Sequence, residues 1–178
     1  KREMRSILSS YGNHPSFLSL AIGNELGNSN FEVMGKWMNE LKEIDPRHLY
    51  FCGTARQQPP EDDYGVTHYI PAGKWCRQKM FNNTDWDYED VYSITKIPTV
   101  AHEIGQWVVY PIWSDLLSKF TGAMRPWNLS RHFDTAKAEG TLRFNAEYHA
   151  ASAKLSRLIY KEEVESFLRT PSCAGVEL

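Results

Sequence analysis

Two glutamates stand where apolar runs end. Glu25 closes the first run in LAIGNELG (residues 20–27), and Glu103 does the same in PTVAHEIGQW (residues 98–107). A pair of carboxyl groups converging on one acetal can cleave it. One protonates the leaving oxygen, and the other attacks the anomeric carbon or activates a water. A carboxyl separation of about 5–5.5 Å goes with covalent attack and retention, and about 6.5–9.5 Å with inversion. The acid must keep its proton near neutral pH, which requires burial or a negative neighbour. Asn24, just before Glu25, carries an amide that both donates and accepts, so it can hold a hydroxyl beside the reacting carbon. Either glutamate alone would most simply be solvated or structural. Asn before one and His before the other point to chemistry.

The elements that must position them are short strands with helices or loops between. Residues 2–11 read as the end of a helix, with Met4, Ile7 and Leu8 on one face and Gly12-Asn13 as a C-terminal stop. Residues 17–22 are apolar on both faces apart from Ser19, as in a strand covered on both sides. Ser29 with Glu32 fits a capping box. Val33, Met34, Trp37, Met38, Leu41 and Ile44 then recur at helical spacing up to Asp45-Pro46, and residues 49–53 form a strand. Strand, helix, strand in so short a span means a parallel crossover.

Residues 66–70 and 97–101 read as further strands. The stretch 71–96 has no clear period but holds Trp75, Phe81, Trp86, Tyr88 and Tyr92, and so long an irregular segment usually serves a site. Helical patterns cover 116–119, 129–138 and, most strongly, 142–168, where Tyr148, Ala151, Leu155, Leu158, Ile159, Val164 and Phe167 fall in phase. One more strand begins at Cys173. Neither G-x-G-x-x-G nor G-x-x-x-x-G-K-[ST] is present, so a nucleotide fold is disfavoured. Acidic strand exits instead favour a (β/α)8 barrel, whose working groups sit at the C-terminal ends of its strands.

Bulk properties narrow the function further. The 178 residues are 42% hydrophobic and 24% charged, with a formal net charge of −2. The composition is that of a globular chain with no electrostatic case for a nucleic-acid or membrane partner. No apolar run approaches the roughly 20 residues a membrane helix needs. Cys52, Cys76 and Cys173 are odd in number and far apart, neither a disulfide framework nor a metal pair. Aromatics reach 13%, with six Trp, for a buried core or for a flat-ligand surface. The chain opens on Lys1 rather than Met, so a piece of a longer protein is expected.

The motifs NHPSF (residues 13–17) and GNE (residues 23–25) resemble the fourth strand of family 2 glycoside hydrolases, which include β-galactosidases, β-glucuronidases and β-mannosidases. AHEIGQW (residues 101–107) resembles the exit of their seventh strand. The resemblance runs through most of the chain, and its later segments are similar to large bacterial, multi-domain members. It implies an α/β fold, an incomplete TIM barrel holding about strands four to eight over residues 1–178. Glu25 becomes the general acid/base, Glu103 the nucleophile and Asn24 the ligand of the sugar 2-hydroxyl. THYI (residues 67–70) supplies Tyr69 and, second in preference, His68 to hold the nucleophile.

The resemblance also implies a retaining exo-acting hydrolase of β-glycosides, with no cofactor and no metal. Its partners are a carbohydrate substrate, the rest of the barrel and flanking β-sandwich domains, and dimerisation through exposed sheet edges is an alternative way to cover them. Periplasmic or secreted localisation follows from the resemblance alone. Leu20-Ala21-Ile22 stands where the family commonly has Trp-Ser before Gly-Asn-Glu, which leaves the sugar open. Two other classes stay in view: a non-catalytic carbohydrate-binding or scaffolding remnant, and a metal-dependent hydrolase using His68 and Glu103.

Smaller features have plainer readings. His102 should point away from Glu103 by strand alternation and be a packed or hydrogen-bonded histidine rather than a chemical participant. H-E-x-x-H is absent and the acidic and imidazole residues lie on separate strands, which weighs against a metal. Trp75, Trp107 and Trp113 suit either sugar stacking or core packing. Arg56 is expected at the surface, Asn83 is not expected to carry a glycan, and Glu61-Asp62-Asp63 should solvate a loop.

Overall fold

Helical spacing at Met4 and Leu8 becomes α1, Arg2–Tyr11, in a computed structural model that describes residues 1–55, 57–70, 74–75 and 83–178, with residues 69, 70, 74 and 75 described through their backbone. Arg56 and Cys76 lie outside the described residues. Gly12 ends α1, in right-handed conformation with φ −60°. A Cβ there would lie 2.6 Å from the Leu8 carbonyl oxygen, so close approach is what requires glycine.

The parallel crossover follows. Strand β1, Ser19–Gly23, pairs in parallel with β2, Leu49–Gly53, across helix α2, Phe31–Ile44. Asn30 caps α2 by accepting the Val33 N–H at 3.1 Å. Ser29 instead places its hydroxyl on the Gly27 carbonyl, so the cap sits one residue later than the capping-box pattern indicated. Met4, Leu8, Met34, Met38, Leu41, Tyr50 and Cys52 form the core between α1, α2 and β2, each large side chain contributing about 1.5–3 kcal/mol by burial. β1 is only half-buried along its length, not covered on both faces as its composition suggested.

The acidic run 61–63 is structural. The Asp62 carboxylate accepts the Cys52 N–H and the Asp63 carboxylate the Tyr50 N–H, both at 2.8 Å. Two side chains thus stand in for a neighbouring strand along β2, and Lys42 pairs with Asp63 at 2.7 Å. Asp62 is 4% exposed, and burial pushes its carboxyl up to about 6. Burial also raises the Cys52 thiol.

A second parallel sheet has the order β3, Gly65–Thr67; β6, Thr99–Ala101; β7, Cys173–Val176, with β6 in the middle. Between them in sequence, β4, Tyr69–Ile70, pairs antiparallel with β5, Lys74–Trp75, and α3 spans Glu89–Tyr92. Tyr88, Val91 and Tyr92 pack under β6 with Ala101, Ile104 and Phe167. Tyr88 stacks on Phe167 at 4.4 Å, so these aromatics of the irregular stretch are core.

The chain divides into two compact units, Lys1–Gly105 with Glu163–Leu178, and Gln106–Glu162. The second holds α4, Trp113–Ser118; α5, Trp127–Ala138; and most of α6, Asn145–Leu168, preceded by a 3-10 turn at Thr141–Phe144. Trp113 is buried, with its ring edge-on to Tyr110 and Phe133. Leu155 and Leu158, in phase by sequence, are exposed. The molecule is a mixed helix–strand protein with small parallel sheets, and among the described residues no helix is long and apolar enough to cross a membrane.

Candidate active site

Strand register builds the site. Thr67 is the register partner of Ala101, and Ala101 that of Val176. The next residue on each strand is His68, His102 and Glu177. The ladder continues through them: the His102 N–H donates to Thr67 O at 3.1 Å and the Glu177 N–H to Ala101 O at 2.8 Å. Residues at one register level face the same side of a sheet. The His68 and His102 rings accordingly stack, centroids 5.5 Å apart and planes 13° from parallel. His102 Nδ1 meets Glu177 Oε2 at 3.1 Å.

Glu103 breaks the alternation. Its φ is +51°, in the left-handed region that few non-glycine residues visit. The turn brings its carboxylate back to the mouth, with Oε1 3.5 Å from His102 Nε2. His102 therefore does not point away from Glu103, which corrects that expectation; it is buried and hydrogen-bonded, as expected. Two anchors fix the turn: His102 is buried, and Ile104 is buried and donates its N–H to Glu177 O at 2.9 Å.

Glu25 arrives by a similar device. Its φ is +48°, and its N–H donates to Thr54 Oγ1 at 3.2 Å. The Thr54 hydroxyl in turn donates to Asn24 Oδ1. Leu26 folds back over the paired glycines of β1 and β2. A Cβ on Gly23 would come 3.0 Å from Leu26 Cδ2, and one on Gly53 would come 2.9 Å from Gly23 O. The Gly-Asn-Glu-Leu exit is thus the tight turn that lifts Glu25 over the strand ends. Its Oε1 lies 3.9 Å from His68 Nε2. Positive-φ residues of this kind cost roughly 1–3 kcal/mol each and cluster at functional sites.

One ligand atom each from Glu25, His68, His102 and Glu103 lies within 4.8 Å of the others. The imidazoles are buried and the carboxylates about one-third exposed, 39% for Glu25 and 34% for Glu103. That is a solvent-reachable acid pair on a rigid floor, able to protonate, to attack or to grip a cation. No protein-family model matches the chain, and no curated protein matches it either. The geometry stands by itself.

Of the residues singled out from sequence, Glu25, Asn24, His68 and Glu103 come together here. Tyr69 follows His68 directly, and its backbone pairs with Trp75; the side chains of Tyr69 and Trp75 lie outside what is described. Trp107 belongs to the second unit, where its carbonyl accepts from Ser156 Oγ at 2.9 Å. Sequence reasoning passed over Thr54 and Glu177. Both immediately follow or nearly follow a strand end, the same signal that marked the two glutamates.

Proposed function

We propose that this chain is the C-terminal part, about strands four to eight, of the TIM-barrel domain of a family 2 glycoside hydrolase, cleaving terminal β-glycosides with retention. The observation that carries the reading is the Glu25–Glu103 pair: two carboxylate oxygens within 4.8 Å of each other, on separate strand exits, both held by left-handed backbone. One oxygen pair that close is compatible with the short carboxyl separation of covalent attack. Parallel β1–β2 and β3–β6–β7 pairings support the barrel, since the site groups follow the C-terminal ends of their strands.

In the first step the Glu103 carboxylate attacks the anomeric carbon while Glu25 gives its proton to the departing glycosidic oxygen. In the second, Glu25 takes a proton from water, the water oxygen attacks the same carbon, and the Glu103 carboxylate leaves. Asn24, oriented by Thr54, offers its N–H groups to the sugar hydroxyl beside the reacting carbon. His102, oriented by Glu177, faces Glu103 from beneath. The partners proposed are a carbohydrate and the remaining strands and flanking domains of the parent protein, or a second copy at the sheet edges.

Glu103→Gln tests this reading on a panel of chromogenic β-galactoside, β-glucuronide and β-mannoside substrates. Turnover should fall by roughly 10⁴–10⁶-fold, the scale seen when a nucleophile is removed, while glycoside binding persists. A non-catalytic binding remnant would show binding and no turnover in either form.

A further inference from the structure

The two strand-exit glutamates share their mouth with two buried imidazoles, and the four ligand atoms, two nitrogens and two oxygens, lie within 4.8 Å of one another. We infer that this cluster binds a divalent transition-metal ion of the zinc type, and that the ion and a sugar compete for the same place. Binding is independent of the glycosidase reading; the competition rests on it.

Three observations carry the inference. The first is donor chemistry. An N2O2 set with imidazole suits zinc and its neighbours, whereas magnesium and calcium seek oxygen-only cages. The second is geometry. Tetrahedral zinc with bonds of about 2.0–2.2 Å sets its ligand atoms roughly 3.4 Å apart. His68 and His102 are fixed by register and burial. Glu25 and Glu103 are the partly exposed members, and side-chain torsions of glutamate can close the remaining distance.

The third is the contact behind His102. Glu177 Oε2 at 3.1 Å from Nδ1 is the carboxylate–histidine arrangement that orients a metal-bound imidazole and raises its basicity. On its other edge, His102 Nε2 lies 3.5 Å from Glu103 Oε1. An imidazole nitrogen and a carboxylate oxygen attract each other when a proton or a cation sits between them. His68 Nε2 and Glu25 Oε1, 3.9 Å apart, repeat the pairing.

The consequence for turnover is direct. Zinc takes both carboxylates ionised, whereas the first chemical step needs a proton on Glu25. The ion also occupies the gap between the carboxylates where the anomeric carbon must stand. The site is therefore a reversible lock: metal in, sugar out.

Calorimetric titration of the full chain with zinc chloride alone tests the binding claim, with thermal unfolding as a second readout. We expect one saturable site and an unfolding midpoint that climbs with zinc, as mass action requires. Glu177→Gln should weaken zinc affinity about 10–100-fold, and His102→Ala by more. Should His102→Ala fail to fold, Glu25→Gln, at an exposed residue, must still lower the affinity. Zinc that does not saturate, or affinity unchanged in both Glu177→Gln and Glu25→Gln, would overturn the inference. If zinc binds in this pattern and no glycoside is turned over, the metal site stands and the hydrolase reading falls. If both hold, zinc must raise KM and leave kcat unchanged; a fall in kcat alone sinks the competition.

Discussion

Two hollows among the described residues differ in kind. One is the mouth at the strand exits of the first unit, lined by acid and imidazole. The other is a cleft of about 850 Å³ in the second unit, walled by Val108, Tyr110, Trp113, Leu116 and Leu129. The cleft has the poorer chemistry: His132 and Glu139 are its ionisable groups apart from the tyrosines. The mouth is built by hydrogen-bond register and by two glutamates forced through positive φ. The cleft is built by side chains filling space between helices. The cleft offers apolar walls; the concentration of reactive groups on strained backbone marks the mouth as the place for chemistry.

The contrast can be broken by substitutions on each side. Glu25→Ala in the mouth should cost about 10²–10⁴-fold in kcat with little loss of stability. Azide, a small anion that needs no proton removed, should restore turnover of activated glycosides, read as a glycosyl azide product by mass spectrometry. Trp113→Ala in the second unit should do the reverse. It should lower unfolding free energy by about 3–5 kcal/mol, measured by urea titration, and leave the rate constant of the folded fraction near its starting value. Catalytic loss from Trp113→Ala with unchanged stability would erase the distinction.

Smaller effects sharpen the account of how the mouth is held. Gly53→Ala pushes a Cβ to 2.9 Å from Gly23 O and 3.3 Å from Leu26 Cδ1. It should destabilise by about 1–3 kcal/mol, as overpacking does, and should lower activity beyond that loss because the turn carrying Glu25 shifts.

The pH dependence of stability separates two aspartates of opposite sign. Burial raises the Asp62 carboxyl to about 6 from 3.8. The folded state then binds the extra proton between those values, so stability falls as pH rises from about 4 to 6. Asp62→Asn should flatten that slope in chemical denaturation. The Arg47 guanidinium lowers Asp45 to about 2 from 3.8. Its contribution is present above the ordinary value and is lost as pH falls from about 4 to 2. Asp45→Asn should remove the acid-side drop and leave the Asp62 slope in place.

Much of this was legible in the residues. The α1, α2 and β2 boundaries follow from apolar period and from Pro46, because propensity and packing agree there. Glu25 and Glu103 were visible as charges ending apolar runs. The placement of His102 was not, because alternation holds only while φ stays in the extended region, and Glu103 leaves it. Glu177 was hidden for another reason: its value depends on β7 lying beside β6, a long-range pairing that no local pattern encodes. The acidic run 61–63 misled because charge usually means solvent, whereas here two carboxylates replace backbone acceptors along β2.

The central claim is that Glu103 bonds to a sugar carbon while Glu25 manages the proton. Incubation with 2-deoxy-2-fluoro β-glycosyl fluorides of galactose, glucuronic acid and mannose, followed by intact mass and peptide mapping, tests it most directly. The account predicts one adduct, with one of these sugars, on the peptide bearing Glu103, and none in Glu103→Gln. An adduct on another residue, or turnover with inversion and no adduct, would contradict it.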